Sequence, residues 1–212
     1  MKKRYWLCAA CAFAAFLIVT ALVLFADVQP IGEIGNSVGC ASLNGAFADW
    51  IGFHDGWYTL SELLGYLALL IGAAVACLGL YQWIKRKKLF SVDREILALG
   101  VLYAVTVALY VFFEVVVICE RPILVDGEAG ASFPSSHTLL ALVLYGSAAI
   151  FSYRKIDRPV LRNVAADAFS VLALLTVVCR LFSGVHWLTD IFAGILLGAS
   201  LLLAYRAAAF ED

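Results

Sequence analysis

Three short clusters hold the residues able to bind and move a phosphoryl group: Arg121-Pro122, Pro134-Ser135-Ser136-His137, and the stretch running from Arg180 through His186 to Asp190. Arginine presents a planar fork of donors that matches phosphate oxygens and stays charged. Ser135 and Ser136 stand where a helix should open, so unpaired backbone N–H groups and the helix dipole favour an anion there. Pro134 suits such a start. His137 lies beside this anion pocket, placed to protonate a leaving oxygen. His186 and Asp190 are spaced i, i+4 and share a helical face. Asp190 can then hold one ring nitrogen and leave the other free to attack phosphorus. No glycine-rich nucleotide loop and no Cys/His set with metal-ligand spacing accompanies them, so phosphoryl transfer without a metal or other cofactor is the chemistry that fits.

Taken singly, each cluster has an ordinary reading. Ser-Ser before a helix is a cap, Arg-Pro is a helix end, and an interfacial histidine is a solvated or packing residue. What counts against those readings is coincidence: two of the three histidines in the chain fall in these clusters. The elements that carry them then decide whether they meet.

Of 212 residues, 64% are hydrophobic and 15% charged, a balance that a soluble domain of this size cannot hide. Six stretches are long enough to span a bilayer, at about 5–25, 58–83, 96–119, 136–152, 165–181 and 187–209. The first resembles a signal peptide but is too long and lacks a good cleavage site, so a retained helix is expected. The expected fold is all-α: a six-helix transmembrane bundle forming one domain over residues 1–212, with both termini cytoplasmic. Thirteen of the fifteen Lys and Arg residues then lie inside, and the acidic segment 26–57 lies outside. The two exceptions are Arg121 and Arg180, at the outer ends of the third and fifth spans. In that topology all three clusters share the extracytoplasmic side. Within segment 26–57, residues 41–51 fit a short interfacial helix or an irregular loop. The six cysteines mostly sit in apolar runs as packing residues, with a Cys40–Cys119 bridge open but unsupported.

The motifs resemble those of the type-2 phosphatidic acid phosphatases, which share their site with vanadium-dependent haloperoxidases. That family's signature runs Lys-x6-Arg-Pro, then Pro-Ser-Gly-His, then Ser-Arg-x5-His-x3-Asp, and the likeness covers residues 114–190. It implies that Arg121 and Arg180 bind phosphate with help from Ser135 and Ser136. His137 would be the general acid, His186 the nucleophile that forms a phosphohistidine, and Asp190 its orienting partner. It further implies a lipid phosphate or diphosphate as substrate, at the outer leaflet of what is expected to be a bacterial cell membrane. Undecaprenyl diphosphate and phosphatidylglycerol phosphate are the candidates there. A haloperoxidase is disfavoured, those relatives being larger and soluble. A non-catalytic lipid-phosphate-binding protein and a lipid phosphotransferase stay open beside it.

Three positions depart from the signature. Ser136 replaces a glycine, Cys179 replaces a serine, and Glu114 stands where the family has its lysine. Glu114 and Arg121 lie seven residues apart, about two helical turns, and are expected to share a face. Glu114 then has three readings: an ion pair with Arg121 or Arg180, a contact with a cation or amine head group, or the mark of a site that has lost ordinary phosphatase activity. Glu62, near the outer end of the second span, is a further acidic residue whose role the sequence leaves open; its ordinary reading is an interfacial residue in a first helical turn.

Overall fold

The computed structural model describes residues 2–125 and 127–210. Among these residues, seven α-helices and one small sheet follow in the order α1 (Lys2–Phe25), β1 (Gln29–Ile31), β2 (Asn36–Val38), α2 (Ala41–Ile51), α3 (Asp55–Arg86), α4 (Arg94–Val115), α5 (Ser136–Lys155), α6 (Pro159–Phe182) and α7 (Leu188–Ala209). Six of the seven, all but α2, are long and apolar enough to cross a membrane. The fold is therefore all-α apart from the antiparallel β1–β2 hairpin. α6 begins six residues earlier than its apolar run, because Pro159 in its first turn is pre-set for helix and tolerates charged residues behind it.

α5 and α7 form the middle of the bundle. α5 packs against α6, α7 and α3, while α7 also carries α1 along its length. Their buried faces explain this. Leu139, Ala141, Val143, Leu144 and Tyr145 of α5 meet Ile191, Ala193 and Leu197 of α7 in the interior. α1, α3 and α4 present Leu, Ile, Val and Phe side chains outward, as helices facing lipid do. The starts of α5 and α7 and the ends of α4 and α6 gather at the end of the bundle opposite the start of α1 and the end of α7.

α4 stops earlier than its apolar run suggests. The β-branched series Val115, Val116, Val117 and Ile118 is a poor helix sequence, and the chain turns extended there. Ser132 N–H donates to the Cys119 carbonyl at 2.9 Å and Arg121 N–H to Gly130 at 3.1 Å. Glu114 and Arg121 therefore do not share a helical face: the first ends a helix and the second sits on an extended return.

Residues 41–51 are the helix that their pattern allows, with Leu43 and Trp50 exposed. Its inner face is not lipid-facing. Buried Asn44 donates from Nδ2 to the Gly39 carbonyl at 2.9 Å and to Thr189 Oγ1 at 3.0 Å, and accepts the Thr189 N–H at 3.2 Å. α2 is thus tied to the first turn of α7. Gly184, in the turn between α6 and α7, has φ +73°, and a Cβ there would lie 1.9 Å from the Gly52 carbonyl oxygen. Only glycine serves at a left-handed position so close to another backbone.

Candidate active site

His186 lies in that turn and is buried. Its Nδ1 is 3.1 Å from Ser132 Oγ, and Ser132 Oγ is 2.5 Å from Asp190 Oδ2. Nδ1 to Asp190 Oδ2 is 3.6 Å, too long for a direct hydrogen bond. Ser132 has one proton, and the short contact assigns it to the carboxylate, so Ser132 accepts from His186 Nδ1–H. The contact between Asp190 and His186 thus runs through a serine rather than being the direct one expected. The carboxylate is held in turn by the Trp187 N–H at 2.8 Å and the Cys119 thiol at 3.8 Å. Burial, then the charge of Asp190, pushes the Cys119 thiol up, so it remains a proton donor. The described cysteines, Cys40 and Cys119 included, are free thiols.

With Nδ1 protonated, Nε2 carries the lone pair. It is buried and has no hydrogen-bond partner. Burial, reinforced by the positive charges of Arg180 and Arg121, holds the His186 imidazole well below its ordinary value of 6.5. The ring is neutral at physiological pH, the state a nucleophile needs. The same shift has a consequence for stability. Below about pH 6.5 the unfolded chain binds a proton that the folded one refuses, so acidification favours unfolding. The thermal midpoint in detergent should fall between pH 7.5 and 5 more steeply in the wild type than in His186→Gln; identical slopes would contradict this.

Arg180, near the end of α6, is buried. Its Nη1 donates to Ser61 Oγ at 2.9 Å and to Glu62 Oε1 at 2.8 Å, and its guanidinium carbon sits 5.3 Å from the centre of the Tyr58 ring. Nε and Nη2, which together form the side-on edge of the fork, have no partner. An unpaired buried guanidinium edge is costly, and an anion is what it fits. His137, in the first turn of α5, donates from Nε2 to the same Glu62 oxygen at 3.1 Å, leaving its buried Nδ1 without a partner. Arg121 is half-buried on the extended return, with Nε 3.5 Å from the Ala131 carbonyl.

Ser135 is fully buried, and its Oγ caps α5 by accepting the Thr138 N–H at 3.5 Å. Its own N–H donates to the Asp190 carbonyl at 3.0 Å, which ties the start of α5 to that of α7. Ser136 is half-buried and borders a small pocket with Glu114, Pro134 and Ala131. Glu114 is exposed and, among the described residues, pairs with neither Arg121 nor Arg180. The carboxylate that meets Arg180 is Glu62, which is no mere interfacial residue. Ser132 and Glu62, which touch the two histidines, are site residues that the motifs do not mark. Among the described residues no three His, Cys, Asp or Glu side chains cluster to hold a metal ion.

Residues 96–211, more than half of the chain, match the family model described as the PAP2 superfamily. The structure is similar to the crystal structure of the first transmembrane PAP2 type phosphatidylglycerolphosphate phosphatase from Bacillus subtilis, with a TM-score of 0.63 and 21% identity over 93% of this chain and 94% of that one. A search of curated proteins found no match. With six membrane-length helices among the described residues and Arg121, His137, Arg180, His186 and Asp190 assembled at one end, the chain is an integral membrane protein of the PAP2 superfamily.

Proposed function

We propose that this protein is a lipid-phosphate phosphatase that works through a phosphohistidine on His186, at the outer leaflet and without a metal ion. The observation that carries the reading is the neutral, unpartnered Nε2 of buried His186 acting under the charges of Arg180 and Arg121. A phosphoryl group gripped by the Nε/Nη2 edge of Arg180, by Arg121 and by the opening N–H groups of α5 has its negative charge stabilised as it transfers. Nε2 forms a bond to phosphorus while the bond to the lipid oxygen breaks, and His137 gives that oxygen a proton. His137 then takes a proton from water, which attacks phosphorus, breaks the N–P bond and releases phosphate. Ser132 and Asp190 hold the developing positive charge on His186.

The basic residues at the opposite end of the bundle support an outer-face site. Phosphate release should be measured from purified protein in detergent with a panel of lipid phosphates and diphosphates, phosphatidylglycerol phosphate among them. Chelator-resistant release that disappears in His186→Ala is the expected result. Release that needs a metal, or that persists in the variant, would overturn the mechanism.

A further inference from the structure

Each histidine of the site has a carboxylate. The one serving His186 belongs to the third motif; the one serving His137 is Glu62, on α3, outside all three motifs and outside the matched residues 96–211. Its Oε1 receives both His137 Nε2–H at 3.1 Å and Arg180 Nη1–H at 2.8 Å. Two things follow from geometry. With Nε2 engaged, the nitrogen of His137 left for substrate is Nδ1, which has no partner. With Nη1 engaged by Ser61 and Glu62, the edge of Arg180 left for substrate is the side-on Nε/Nη2 pair. Gly65, one turn along α3, makes the fit possible: a Cβ there would come within 3.0 Å of His137 Cδ2.

To hand a proton to a leaving oxygen, His137 must hold protons on both nitrogens, and a carboxylate bonded to Nε2 is the counter-charge to that imidazolium. We propose that Glu62 is a positioning residue for the acid step, aiming His137 Nδ1 at the leaving oxygen and balancing the protonated ring while it anchors Arg180. The proposal rests on the phosphatase reading above. The proton moves from His137 Nδ1 to the lipid oxygen as the P–O bond breaks, and Glu62 itself exchanges none.

The leaving group separates this role from a purely structural one. An alkyl phosphate needs its oxygen protonated; p-nitrophenyl phosphate releases a stable phenolate that does not. kcat/KM reports only the steps through P–O cleavage, so the later use of His137 as a base does not enter. General acid catalysis is worth about 10²- to 10⁴-fold. Glu62→Gln keeps an oxygen for both donors but not the charge, and should lower kcat/KM on a short-chain phosphatidate at least about tenfold more than on p-nitrophenyl phosphate. In a His137→Ala background, Glu62→Gln should leave the ratio between the two esters where His137→Ala puts it. Equal losses on both esters, or a ratio that shifts further in the double variant, would overturn the proposal and leave the phosphatase reading standing. A wild type that releases phosphate from neither ester and from no lipid phosphate or diphosphate of the panel would remove both.

Discussion

Arg180→Lys is expected to lower kcat/KM for a lipid phosphate by about 10²- to 10³-fold, the cost of removing a preorganised donor from a charge-stabilising site. Charge is conserved in this substitution, so the loss reads geometry. Arg180 does two jobs with one planar group: Nη1 reaches Ser61 and Glu62, while Nε and Nη2 stay free. Lysine has one nitrogen and no fixed fork. If it kept the contact with Glu62 it would vacate the phosphate, and the reverse would leave Glu62 with His137 alone. Inhibition by orthovanadate, a mimic of the five-coordinate phosphorus, should weaken in parallel. An Arg180→Lys enzyme within about threefold of wild type would show that the guanidinium edge does not meet the reacting phosphoryl group.

Asp190→Asn should cost about 10⁴-fold in kcat, the scale seen when a carboxylate behind a catalytic histidine becomes an amide, with KM changing little. Oδ2 of Asp190 takes the Ser132 proton and the Trp187 N–H. An amide oxygen kept there for the Trp187 N–H would still accept from Ser132 but carry no charge to hold the imidazolium. An amide nitrogen turned there would donate to Ser132, push the serine proton toward His186 and favour the tautomer with its proton on Nε2. Ser132→Ala breaks the same path at its middle, where a hydrogen bond to a charged group is worth about 1.5–3 kcal/mol, so a loss of about 10- to 100-fold is expected. The order is informative. A Ser132→Ala enzyme at full rate would mean that Asp190 reaches His186 directly in the working state.

The six spans and the gathering of Arg121, His137, Arg180, His186 and Asp190 at one end were legible because each rests on a local signal: apolar length, or a motif read along one segment. What was not legible depends on partners far apart in the chain. Ser132 is an unremarkable serine until the return paired through Glu120 and Ala131 brings it beneath His186. Glu62 shares its sequence signature with any carboxylate in a first helical turn, and only the packing of α3 on α5 and α6 puts it between His137 and Arg180. The end of α4 was missed because hydropathy does not register the β-branched run that starts at Val115. That error also gave Glu114 a helical face in common with Arg121 which it does not have.

The most direct test is to look for the covalent intermediate. Protein mixed with a phosphorus-labelled lipid phosphate, quenched in alkali within one turnover and digested, should carry label on the peptide containing His186, stable to base and lost in acid. His186→Ala should carry none and release no phosphate. Phosphate released at the normal rate with no label on His186, or by the His186→Ala protein, would contradict a phosphohistidine mechanism.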